Sequence, residues 1–269
     1  DYIIIAADIF YSKLFKLAVA SRAKNIIGYT RTRHKVSDSI RRQIDMKVNL
    51  AVTSSNKPCH QVESVYRLLQ PLGIDIKTHP IPALFVQPTD KYSTWARACV
   101  DDLVKAYGCC IGLQLSVRKR ADRWPVENYL ALAKELWARH QQPVLLFWSP
   151  GSKDNLLHPG DDAMAAEISE ELTSQRIPHY AFAAQTLQEL IAGFDLCELI
   201  ICPHGGAMHI AAALGKQLIT FINEKDVAYW RPWACNAQLL TSKRLVCDEI
   251  SVDDVLLAYE AQQLRTGVR

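Results

Sequence analysis

The chain has 269 residues, 49% apolar and 22% charged, which excludes a disordered, collagenous or coiled-coil protein and leaves one large globular domain or two smaller ones. No apolar run reaches the roughly 18 residues that a membrane helix requires. With 31 Lys and Arg against 28 Asp and Glu, the net charge of +3 is too mild to imply nucleic acid. Residues 1–47 are locally basic, with ten Lys or Arg against four Asp, which suits either a solvated loop or an anionic partner. Eight scattered cysteines form no Cys-x-x-Cys pair, and several sit in apolar runs; they read as reduced, packed thiols of a cytosolic protein. There is no signal-peptide pattern.

In chain order, residues 2–7 read as a fully buried strand. Residues 11–23 follow as an amphipathic helix with Leu14, Leu17 and Ala18 on one face. A short strand is expected at 25–29, then a long basic surface loop over 30–58. Residues 61–72 are helical by the spacing of Val62, Val65, Tyr66 and Leu69, and Gly73 stops them. Pro80, Pro82 and Pro88 exclude a helix and mark a linker over 79–92. From 94 the pattern alternates. Helices are expected at 94–107, 126–139, 161–175, 187–193, 208–214 and 251–264, and strands at 109–115, 144–148, 179–182, 199–202 and 218–222. Ser251 is the N-cap of the last helix, with Asp254 as its capping-box acid. Such alternation predicts an α/β fold with a parallel sheet covered on both faces. The division is a partial amino-terminal domain with linker at 1–92 and a second domain at 93–269. The chain starts on a strand at Asp1, so an amino-terminal piece is expected to be missing.

Ligands of such sheets bind at the carboxyl ends of strands. The first exit carries Ser116, Arg118, Lys119, Arg120 and Arg123, then Trp124-Pro125 opening a helix; Arg forks suit phosphate oxygens, and a solvated basic loop is the plain alternative. At the second exit, His204-Gly205-Gly206-Ala207-Met208-His209 leads into a helix of small residues. Its bare N–H groups and dipole make an anion site, and glycine lets a phosphate approach the backbone. A turn with a packed helix is the plain reading there. His204 and His209, at a spacing of five, would fall on different faces of a helix, with no Cys or carboxylate close by in sequence, so no metal site is expected. The third exit, at Asn223 and Glu224, offers polar groups to a ribose or sugar hydroxyl. Neither Gly-x-Ser-x-Gly nor His-Glu-x-x-His occurs.

Together these segments resemble glycosyltransferase family 9, the bacterial lipopolysaccharide heptosyltransferases. The resemblance rests on Arg123-Trp124-Pro125-Val126-Glu127-Asn128-Tyr129, on Thr186-Leu187-Gln188-Glu189-Leu190, and on His204 through Gly215 with its Ala211-Ala212-Ala213 run. Trp230-Arg231-Pro232-Trp233 and His60-Gln61-Val62-Glu63 add to it. Two positions depart: His204 stands where the family has an acid, and Asp122 where it has a lysine.

The resemblance implies a GT-B architecture, two Rossmann-like domains with parallel sheets, the first incomplete here and on the acceptor side. It implies a metal-independent glycosyltransferase without a cofactor, moving a sugar such as heptose from a nucleotide-diphosphate sugar such as ADP-heptose to a lipopolysaccharide core acceptor. The donor residues implied are Ser116, Arg118, Lys119, Arg123, Trp124, His204, Gly205, Gly206, Met208, His209 and Glu224. The catalytic base is not identifiable and is expected in the missing segment, so the chain alone is expected to be inactive. An anionic lipid or oligosaccharide acceptor, a cytoplasmic location and a peripheral inner-membrane contact through the basic stretch follow. The rivals are a sugar-nucleotide epimerase of the same architecture and a non-catalytic nucleotide-sugar binder.

Overall fold

Strands apolar on both sides need cover on both sides, and the larger unit meets that need with helices. In a computed structural model of the chain, the described residues are 1–6, 12–29, 37–52, 58–118, 122–152, 154, 160–243 and 247–266. They divide into two compact units, Asp1–Pro82 with Ala228–Trp230, and Ala83–Val227 with Arg231–Arg269.

The first unit holds a parallel sheet in the order β1-β2-β3, formed by Tyr2–Ile4, Asn25–Tyr29 and Leu50–Val52. Its helices are α1 (Ser12–Ala20), α2 (Asp38–Lys47) and α3 (Gln61–Arg67). Phe15, Ala18, Ile26 and Val48 pack together, and Ile27, Tyr29, Val52 and Leu68 form a second cluster. Several sequence expectations are corrected here. The loop over 30–58 contains α2 and β3, so this sheet has three strands rather than two; residues 30–36 and 53–57 lie outside the described residues. β1 is a short edge strand with Tyr2 56% exposed, not a buried one. In α1 the inward residues are Phe15 and Ala18, while Leu14 and Leu17 face out. α3 ends at Arg67, a short 3-10 turn follows over Gln70–Leu72, and the buried positions are Ser64 and Leu68. Gly73 does stop the segment, with φ +84°. His60 is 2% exposed and caps α3, its Nδ1 accepting from the Val62 N–H at 3.2 Å.

The second unit is built on a six-stranded, fully parallel sheet in the order β6-β5-β4-β7-β8-β9. These strands are β4 (Cys110–Gln114), β5 (Val144–Phe147), β6 (His179–Phe182), β7 (Cys197–Pro203), β8 (Gln217–Asn223) and β9 (Ala237–Ser242). The helices are α4 (Asp90–Tyr107), α5 (Val126–His140), α6 (Asp162–Ser174), α7 (Leu187–Asp195), α8 (Gly206–Ala213) and α10 (Val252–Thr266), together with the first half of α9 (Glu224–Trp230), whose last three residues count with the first unit. Side chains alternate across the pleat. Ile111, Leu113, Val144, Leu146, Leu199 and Ile201 enter one core with α5, α6 and α10. Cys110, Leu145, Phe147, Ile200 and Cys202 enter the other with α4, α7 and α8. The expected strands and helices from 94 onward are present. β9 and α9 were not expected, and α4 begins four residues earlier, at Asp90. The capping box holds: the Asp254 N–H donates to Ser251 Oγ at 3.1 Å, and the Ser251 N–H donates to Asp254 Oδ2 at 3.2 Å.

Candidate functional site

From β4 the chain runs outward through β5 to β6, then returns to lay β7 on the other side of β4. The order therefore reverses between β4 and β7. Helices on either side of such a point diverge to opposite faces, which opens a crevice beyond the carboxyl ends of the two strands. At this place a Cβ on Gly205 would lie 3.7 Å from Val117 Cγ2, so the exits of β4 and β7 touch. Two of the segments singled out in the sequence are thereby brought together.

Gly205 is the N-cap of α8 and makes no side-chain cap bond. Its φ of 170° is extended backbone open to any residue, so what glycine contributes is the absence of a side chain. The first N–H groups of a helix have no partner within it, and here no capping side chain covers them. A Cβ on Gly206 would meet nothing within 4 Å, so the helix start is bare. A side chain at Gly206 would occupy open space and meet no neighbour. Behind this bare end, Met208, Ala211 and Ala212 are buried and seat the helix on the sheet. His204 precedes the N-cap, and its N–H bonds the Phe221 carbonyl at 2.8 Å, extending the β7–β8 pairing by one residue. His209 is half-buried on the first turns of α8. Glu224 is exposed and opens α9, which Asn223 caps by accepting the Lys225 N–H at 3.4 Å.

A polar network around one buried carboxylate stiffens the β4 exit. Ser116 Oγ donates to Asp161 Oδ2 at 2.5 Å and accepts from the Ser149 N–H at 2.8 Å. The Arg123 guanidinium grips the same carboxylate with its two terminal nitrogens, Nη1 2.8 Å from Oδ1 and Nη2 3.3 Å from Oδ2. Its Nε–H reaches the Val117 carbonyl at 3.4 Å. The Asp161 side chain is only 4% exposed. Neither Asp161 nor Ser149 was singled out in the sequence; an Asp one residue ahead of a helix reads as a simple cap, and nothing local shows that it meets Arg123. Arg118 is exposed at the bend beyond β4, and Lys119 lies outside the described residues.

Three expected donor residues are recast. Trp124 is 1% exposed, its indole N–H is spent on the Ile250 carbonyl at 2.8 Å, and its ring packs on Tyr129 and Phe221. Met208 is fully buried. Both side chains support the exits from beneath and offer a ligand no surface. Arg123 has its charge matched by Asp161 and is not a free cation. Among the described residues no group of three or more His, Cys, Asp or Glu is placed to hold a metal ion.

The family model described as glycosyltransferase family 9 (heptosyltransferase) matches residues 1–255. Lipopolysaccharide heptosyltransferase 3 of Escherichia coli is 31% identical over 179 residues, 65% of this chain and 48% of that protein. The chain thus spans about half the length of this curated relative. The solved structure of E. coli ADP-heptose lps heptosyltransferase II aligns with a TM-score of 0.69 at 18% identity, covering 99% of this chain and 77% of that one. E. coli heptosyltransferase WaaC with ADP-2-deoxy-2-fluoro heptose aligns at 0.63 and 15% identity, covering 97% and 72%. At such identities the structural likeness speaks for the fold.

Proposed function

The chain belongs to glycosyltransferase family 9, and from that premise we propose that it binds a nucleotide-diphosphate sugar, ADP-heptose, as donor for transfer to a lipopolysaccharide core acceptor. The observation that carries the reading is the bare start of α8 at the reversal of strand order, with open space where a Gly206 side chain would stand. Helix N–H groups there complement a diphosphate, whose negative charge grows as the glycosidic bond breaks. Donors fixed in place before the reaction stabilise that charge without reorganising. Arg118 adds positive charge on the β4 side. His204, His209 and Glu224 frame the same crevice for the sugar and ribose hydroxyls. This chemistry needs no metal, because N–H groups and cations do the neutralising. A carboxylate base takes the proton of the acceptor hydroxyl, and no residue of this chain is assigned that role.

The acceptor is an anionic lipid or oligosaccharide at the cytoplasmic face of the inner membrane, met by the basic residues of 1–47. Among the described residues no helix is long and apolar enough to cross a membrane. The replacement of the family acid by His204 and of the family lysine by Asp122 favours a second reading, donor binding without transfer.

Calorimetry with ADP and ADP-heptose, followed by a transfer assay with a heptose-accepting lipopolysaccharide core and no added metal, tests both. Donor binding with turnover supports the transferase. Donor binding without turnover supports the binder. A chain that binds neither nucleotide overturns the donor site altogether, and interconversion of the donor alone identifies an epimerase.

A further inference from the structure

One carboxylate organises three segments at the mouth of the crevice. Asp161 precedes α6, its N–H donates to the Ser149 carbonyl beyond β5 at 2.9 Å, and its side chain holds Ser116 beyond β4 and Arg123 ahead of α5. Through Arg123 the hold extends to the Val117 carbonyl, and Val117 is the residue that faces Gly205. We propose that Asp161 is a positioning residue of the donor site, that Arg123 is its strut and not a phosphate ligand, and that Arg118 meets the phosphate charge instead.

A guanidinium fork fits carboxylate and phosphate alike, so an incoming diphosphate competes with Asp161 for Arg123. Winning that competition strands a carboxylate that is 4% exposed, and an uncompensated buried charge is strongly unfavourable. The pair therefore stays closed when a ligand arrives. Its product is geometric: the wall opposite the bare helix start is fixed before binding, so binding does not have to order it. Arg118 is exposed, next in sequence to Val117, and in no ion pair with a carboxylate among the described residues.

This inference rests on the donor reading above, and ADP is the probe. Dissociation constants for the whole chain and for Asp161→Asn, Arg123→Lys, Arg123→Ala and Arg118→Ala are measured at low and high salt, below every melting temperature. Asp161→Asn and Arg123→Lys are expected to weaken ADP by up to about tenfold, the scale of having to order one side chain on binding, and by the same factor at both salts. Arg118→Ala is expected to weaken it most at low salt, where a direct charge contact is least screened. If Arg123→Lys keeps its affinity while Arg123→Ala loses it in a salt-dependent way, Arg123 touches the phosphate and the proposal is wrong. Lower melting with unchanged affinity in Asp161→Asn makes the network mere fold support, which also overturns it. Should Asp161→Asn not fold, Arg123→Lys carries the same comparison. Wild-type protein that ignores ADP removes the donor reading itself, and this inference with it.

Discussion

The indole N–H of Trp124 and the main-chain carbonyl of Ile250 share a 2.8 Å hydrogen bond across 126 residues of chain. It ties the lead-in of α5 to the lead-in of α10, beneath the β4 exit. The ring also meets Tyr129 edge-on and Phe221 at a tilt, both at 4.9 Å between centroids. Trp124→Phe keeps most of the packing but leaves a carbonyl orphaned, which costs about 1–3 kcal/mol. Trp124→Ala adds a cavity and should cost about 3–5 kcal/mol. Urea unfolding of both variants checks the order. Equal losses would mean that the ring packing contributes nothing beyond the hydrogen bond, and a Trp124→Phe protein as stable as the wild type would mean that the hydrogen bond contributes nothing.

Two glycines make a matched pair with opposite expectations. A Cβ on Gly160 would fall 2.2 Å from the Gly151 carbonyl oxygen, a backbone atom that cannot swing away. Gly160→Ala should therefore destabilise the fold, by the ~1–3 kcal/mol typical of overpacking. Gly206→Val places its side chain in empty space, so stability should change by less than about 0.5 kcal/mol. ADP affinity should instead fall by about 2 kcal/mol, the scale of a charged hydrogen bond. Thermal melting with and without ADP separates the two effects. A Gly206→Val protein that binds normally would place the ligand elsewhere.

Burial pushes the Cys110, Cys202 and Cys247 thiols up from an ordinary 9.0 to about 12. A thiol is nucleophilic only as thiolate, so these three should resist a thiol reagent at pH 8 until the chain is unfolded. Mass spectrometry of the labelled native protein reads this directly. The same shift links to stability. Between about pH 9 and 12 the unfolded chain gives up these protons while the folded chain keeps them. Stability is thus intact below pH 9 and falls as pH rises through that window, by at most about 1.4 kcal/mol per unit for each thiol. Denaturation curves that stay flat from pH 9 to 11 would contradict the burial of these groups.

Ser251→Ala should remove one half of a reciprocal cap and cost about 1 kcal/mol. Asp254→Ala should cost a similar amount, and the double variant less than the sum, because the two side chains serve each other. Full additivity in a double-mutant cycle would show that the box is not cooperative.

The larger unit was legible because its central strands are continuous apolar runs and its turns carry glycine, proline or a cap. The runs at Ile111–Leu113 and Leu199–Ile201 can only be buried from both sides. What escaped has physical reasons too. β9 reads Ala-Gln-Leu-Leu-Thr-Ser, a half-polar edge strand with little periodicity, and α2 is too polar to announce a core face. At the site, the bare helix start was readable because glycine and alanine are local signals. The Asp161–Arg123 pair was not, since 38 residues separate the partners and only the closed fold joins them. Trp124 was misjudged as a ligand contact because sequence reveals that a large aromatic sits near an exit, but not which side of the backbone it takes.

The reversal of strand order also bears on how the molecule folds. β4, β5 and β6 follow one another in sequence and in space, and so do β7, β8 and β9. The seam between the two halves joins Ile111 to Leu199, with two strands and three helices of intervening chain to be brought round before it closes. Contacts so distant in sequence form after local ones, because loop-closure entropy must be overcome first. The crevice lies across this seam, so neither half-sheet alone presents it. Pulsed hydrogen exchange during refolding should protect the amides that β4 gives to β5 before those it gives to β7. Recovery of ADP binding should keep pace with the second group, which makes the nucleotide a reporter of the last step of assembly.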